Sequence, residues 1–254
     1  MQSTRPLPVV AQMTPVPIPP PPAHLPKPHP RKDWHVPRLL LQVKDVCHPG
    51  AVKYFSTTNT ETLLRDAVVG VLERLYTYET APTSQRSVTL ILRAMEGVAY
   101  TTGSDLDPDH KEIHFNLNYI AGIPAERVAS EILGVVRHEM VHCWQYNGHN
   151  TCPGGLIEGI ADWVRLKDGF CPPHWHRGGS RWDDGYQNTA YFLQWLEERF
   201  GEGTVMAINA CMRKEKYHEG IWGTLCRGEK VGELWKEYQT VYGIGKPKKP
   251  VETV

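Results

Sequence analysis

Residues 138–142 read His-Glu-Met-Val-His, and residues 156–164 read Leu-Ile-Glu-Gly-Ile-Ala-Asp-Trp-Val, which places Glu158 sixteen positions after His142. If both stretches are helical, they set the fold and the chemistry together. His138 and His142 stand at i and i+4, so their imidazoles leave one helix face a turn apart. Two neutral ring nitrogens at that spacing reach one Zn²⁺, while Glu139 projects beside them, near a coordination position left open. A third protein ligand is still required, and Glu158 is the candidate. The pattern predicts a zinc hydrolase, with a peptide as its substrate.

A random chain of this length carries H-E-x-x-H on the order of once per hundred proteins, so the surroundings must support the motif. They do. The spacing predicts a helix over 125–146: Pro124 suits its first turn, and no proline or turn cluster intervenes before Asn147-Gly148. Leu133, Val136, Met140 and Trp144 form an apolar stripe on it, with Glu131, His138, His142 and Gln145 towards the other side. Pro153-Gly154-Gly155 marks a sharp connection to a second helix over 156–167. There Glu158 and Asp162 again share a face, with Arg165 nearby. Glu158 would bind the metal, and Asp162 would accept a hydrogen bond from the distal N–H of a histidine ligand, fixing its tautomer. The competing reading is an ordinary acidic face paired with Arg165. His149 is a second candidate for third ligand, but it lies past the predicted helix end in a polar loop.

The stretch H-E-M-V-H-C-W-Q-Y-N-G, followed by P-G-G-L-I-E-G-I-A-D-W-V-R-L-K and R-W-D-D-G-Y-Q-N-T-A-Y-F-L, resembles the plant and microbial basic secretory protein family of peptidases over about residues 38–242. More broadly, a glutamate opening an E-G-x-x-[DS]-x-V helix after H-E-x-x-H is similar to the gluzincin peptidases. The resemblance implies an α+β, zincin-like metallopeptidase domain. It carries His138, His142 and Glu158 over as zinc ligands, Glu139 as general base and Asp162 as the residue behind a ligand. The chain departs from the family in charge, with 28 Lys+Arg against 28 Asp+Glu, and in showing no secretory signal.

The expected mechanism follows from the metal, which lowers the pKa of its water and polarises the scissile carbonyl. Glu139 would take the proton and pass it to the leaving amine. A second electrophile for the oxyanion is expected from tyrosine or histidine. Tyr186, at the end of W-D-D-G-Y, is the candidate, ahead of His174 and His176 in the P-P-H-W-H loop. A catalytically inactive zinc-binding interaction protein is the alternative function; Glu139 speaks against it, because a structural site needs no base.

A chain of 254 residues, 41% hydrophobic and 22% charged, suits one globular domain with tails. No run of eighteen apolar residues exists, so no membrane span is expected. Zero formal charge argues against a nucleic-acid partner, and hence against the chromatin-associated proteases that also carry H-E-x-x-H. The six cysteines form no C-x-x-C pair. Cys143 reads as a small core residue, while Cys152 and Cys171 flank the second helix at a spacing that leaves bridging open. Eleven of the first thirty residues are proline, so residues 1–37 are expected to be an extended, disordered tail. Its P-x-x-P spacing allows an SH3-type contact. That tail lacks the apolar core of a signal peptide, and no N-x-[ST] sequon occurs; a cytoplasmic location is expected, with non-classical secretion as the alternative. Residues 243–254 are expected to form a flexible end.

Between these ends the periodicity predicts strands at 39–46, 88–95 and 112–117, a helix at 61–78, and helices at 187–200, 203–213 and 231–242. An edge strand over 111–118 would align the substrate backbone by strand addition.

Overall fold

A computed structural model describes residues 34–245. The proline-rich segment lies almost wholly outside them, as does most of the C-terminal end. The described residues form an α+β fold with one four-stranded sheet and nine α-helices.

The sheet runs in the order β1 (Arg38–Val43), β2 (Ser87–Arg93), β4 (His110–Asn116) and β3 (Ala99–Gly103). β2 pairs in parallel with both β1 and β4, whereas β3 pairs antiparallel with β4. Every residue of β2 but the last is buried, as its S-V-T-L-I-L-R sequence suits for a central strand. Residues opposite one another share a face. The register Leu41–Leu90–Ile113–Thr101 therefore places Thr101 on the same face as the apolar core positions.

This order corrects one expectation. The strand near 111–118 is not at the edge, because the polar A-Y-T-T-G segment of β3 covers it. Its C-terminal end also turns early. Asn116 Oδ1 accepts from the Asn118 N–H at 2.9 Å and caps a short helix, α3 (Leu117–Gly122). β1 and β3 are the edge strands, and β3 is the one beside β4.

Helices cover the core face. α1 (Pro49–Thr57) is capped by His48. α2 (Thr60–Leu75) is capped by Asn59, whose side chain accepts from Thr62 N–H at 3.1 Å; it buries Leu64, Val68, Val71 and Leu75. It ends three residues before the predicted stop, since Tyr76 is extended and sends its hydroxyl to the Trp144 carbonyl, one of the last in α4 (Val128–Trp144). α4 follows a 3₁₀ turn over Ala125–Arg127.

α4 is not the two-faced helix that the spacing predicts. It packs against the sheet and α2 on one side and against α5 (Gly154–Lys167) on the other. Thirteen of its seventeen residues are buried, including Glu131, Arg137, His138 and Glu139; Leu133, assigned to the apolar stripe, is only half-buried. A helix sandwiched between layers has no solvent face for its polar residues, so each needs a partner or a function.

The C-terminal half is helical: α6 (Tyr186–Phe200), α7 (Thr204–Cys211), α8 (Gly220–Leu225) and α9 (Val231–Tyr242). α6 lies close on α5 because two glycines leave room. A Cβ on Gly155 would stand 1.8 Å from the Asp183 carbonyl oxygen, and one on Gly159 would stand 2.2 Å from Thr189 Cγ2. All six cysteines, Cys152 and Cys171 among them, are free thiols.

Candidate metal centre

α4 supplies His138 and His142 from consecutive turns, with their rings 4.9 Å apart and nearly perpendicular. α5 supplies Glu158 and Asp162, also one turn apart. His138 Nδ1 lies 2.6 Å from Asp162 Oδ1. A carboxylate only accepts, so Nδ1 carries the hydrogen, and a neutral ring then offers a lone pair at Nε2. That Nε2 stands 3.1 Å from Glu158 Oε2 and 3.2 Å from His142 Nε2, while His142 Nε2 stands 3.7 Å from Glu158 Oε2.

Three ligand atoms thus face one another across a small triangle, and the group can hold a metal ion. Two metal–ligand bonds at the tetrahedral angle end about 3.3 Å apart; the three separations straddle that figure. The electrostatics agree. Burial works against a positive charge on His138, yet its hydrogen bonds to Asp162 and Glu158, with the charges of Asp162 and Glu139, lift its pKa to about 10. Burial would likewise raise Glu158, but hydrogen bonds from His138 and His142 hold it far below the usual carboxylate range. The centre draws in positive charge, a proton or a cation.

Glu139 is 6% exposed and lines the same cleft. Its Oε2 accepts from Thr101 Oγ1 at 2.7 Å, and that hydroxyl also lies 2.9 Å from the Glu139 carbonyl oxygen. Thr101 went unnoticed in the sequence because its reach depends on the register of β3, a short polar strand with weak periodicity.

Tyr186 opens α6, and its ring stacks on that of His138 with centroids 6.1 Å apart at 12°. Thr189 organises this helix start, accepting from Gly185 N–H at 2.9 Å and donating to the Trp182 carbonyl at 2.8 Å. Tyr186 has φ 45°, left-handed backbone that a bulky residue adopts at a cost. The charge of Glu158, then burial, then Asp162 and Glu139 raise its pKa, so it remains a proton donor at neutral pH.

The cleft encloses about 890 Å³, between β3 on one side and α4, α5 and the start of α6 on the other. Gln145, which donates to the Ile157 carbonyl at 3.1 Å, ties the end of α4 to α5 at its wall. His174 also lines it, whereas His176 is exposed, with its Nδ1 3.1 Å from the His174 carbonyl oxygen. His149 stands apart from the triangle: it is exposed and its Nε2 lies 3.1 Å from the Lys214 carbonyl oxygen.

Residues 36–238 match the family described as peptidases of plants and bacteria, BSP. The match spans most of the chain, which therefore belongs to that family. No curated protein and no solved structure matches it.

Proposed function

Starting from its membership of a peptidase family, we propose that this chain is a zinc metallopeptidase with a zincin-like catalytic domain. The observation that carries the reading is the triangle of His138 Nε2, His142 Nε2 and Glu158 Oε2, with His138 held in its ligating tautomer by Asp162. Two imidazoles and one carboxylate suit Zn²⁺, and three protein ligands leave a position open, as a catalytic site needs. Asp162 orients the ligand from behind. When bound, zinc supplies a Lewis acid and a water of lowered pKa.

The chain's own residues would do the rest. Glu139, aimed by Thr101, takes a proton from the attacking water on its carboxylate and delivers it to the leaving amine nitrogen. Tyr186, kept protonated by the carboxylates around it, donates its phenolic hydrogen to the oxygen that gains charge. The open edge of β3 offers backbone N–H and C=O groups to an extended peptide, the role expected of the strand now known to be internal.

The test is peptide hydrolysis and zinc content of the wild type beside Glu139→Gln. The expected result is a loss of about 10²–10⁴-fold in turnover with zinc retained. Equal turnover in the two proteins would remove Glu139 as the base. Absence of any hydrolysis by zinc-loaded wild type would leave the zinc-binding interaction protein instead.

A further inference from the structure

A second polar rung crosses the same cleft. Glu131 stands seven residues before His138 on α4, and Arg165 stands seven after Glu158 on α5. Arg165 Nη2 donates to Glu131 Oε1 at 3.1 Å, so the two helices run antiparallel, and seven helical residues place this rung about 10 Å from the ligand triangle. Both residues line the cleft, as do Tyr119, Val135 and Trp175.

The charges on this rung do not balance. Glu131 also accepts from Tyr119 Oη at 2.8 Å and pairs with Arg127 Nη2, so one buried carboxylate lies between two guanidiniums. Arg165 is itself buried, its side chain 9% exposed. Its Nε donates to the Phe170 carbonyl at 3.0 Å, and its guanidinium lies 5.2 Å from the Trp175 ring centre. Gly134 makes the seat: a Cβ there would stand 2.6 Å from Arg165 Nε and 2.9 Å from the Phe170 carbonyl oxygen. A buried ion pair alone contributes little net stability; because Glu131 is shared with the partly exposed Arg127, the buried Arg165 lacks a full counter-charge, which an incoming anion would supply.

We propose that Arg165, set by Glu131 and Gly134, forms a substrate subsite for a carboxylate, presented by an acidic side chain or by the peptide's C-terminus. This rests on the peptidase reading. Arg165 presents the charge, and Trp175 and Val135 offer apolar surface for the stem of the arriving group. An extended peptide rises about 3.3 Å per residue, so the carboxylate belongs within about three residues of the scissile bond.

The experiment uses the zinc-loaded full chain and quenched peptides with Glu, Gln or Lys at each of three positions on either side of the scissile bond. Each is made with a free or an amidated C-terminus. The same peptides are measured for binding to the non-turning Glu139→Gln protein. The inference expects kcat/KM and affinity about tenfold or more higher for carboxylate over amide at one position, with Lys worst. A preference that follows Glu assigns an acidic side chain; one that follows the free terminus assigns C-terminal capture. In Arg165→Gln that ratio falls towards one, and in Arg165→Lys part of it returns, which a purely structural pair would not produce. Equal rates for Glu and Gln peptides together with equal rates for free and amidated termini overturn the subsite and leave the peptidase reading intact. A carboxylate preference in binding without any hydrolysis does the reverse. The wild-type ratio decides the matter even if both Arg165 variants fail to fold.

Discussion

Two polar rungs join α4 to α5 about 10 Å apart, and they are built to opposite balances. At one, His138 and His142 meet Glu158 and Asp162, with Glu139 alongside: three carboxylates around two imidazoles. At the other, Glu131 lies between Arg127 and Arg165. Both sit in the same helix pair with similar burial, so burial alone does not distinguish a site from a brace. The difference lies in what each rung leaves over. The first leaves lone pairs facing one another and calls for a cation; the second leaves a guanidinium and suits an anion. A cleft with those two ends can bind both a metal and the charged part of a substrate.

The contrast breaks most visibly at its structural end. Glu131→Ala leaves two guanidiniums without their shared partner, and a loss of about 3–5 kcal/mol is expected. Thermal or denaturant unfolding measures it, while metal content should stay at the wild-type level; loss of metal would mean that the rungs are one unit. Asp162→Ala should act in the other direction. It frees His138 Nδ1 and weakens metal affinity by about 10–100-fold, measured by competition with a chelating dye. Unchanged affinity would remove Asp162 as the group that fixes the tautomer. The smallest effect is expected for Thr101→Val, which takes one hydrogen bond from the Glu139 carboxylate. One such bond is worth about 1–2 kcal/mol, so turnover should fall by about tenfold with metal affinity unaltered. A fall in metal content instead would place Thr101 in support of the ligands.

What was legible in the sequence divides along the same lines. His138 with His142, and Glu158 with Asp162, are pairs within single helices, and a fixed spacing of four residues puts each pair on one face before any tertiary structure is known. Tyr186 is marked by the turn before it, and its ring lies over that of His138. The helix carrying H-E-M-V-H is legible in the sequence, but its apolar stripe is not, because both of its sides are covered and Leu133 is not the core position that spacing makes it. β3 has no counterpart in the sequence pattern, and the edge falls on a different strand, because its five residues bury no side chain fully and show no apolar alternation, although Tyr100 and the two threonines favour strands. α3 and α8 are six residues long, too short for periodicity to show. The Glu131–Arg165 rung joins two helices through the space left by Gly134, a match that no local spacing encodes.

The sharpest test counts metal. Purified wild type, Glu158→Ala and His149→Ala are dialysed against trace zinc, and zinc per chain is read by plasma mass spectrometry. One zinc per chain is expected in the wild type and in His149→Ala, and essentially none in Glu158→Ala. Wild-type protein without zinc, or Glu158→Ala that keeps its full share, would contradict this expectation.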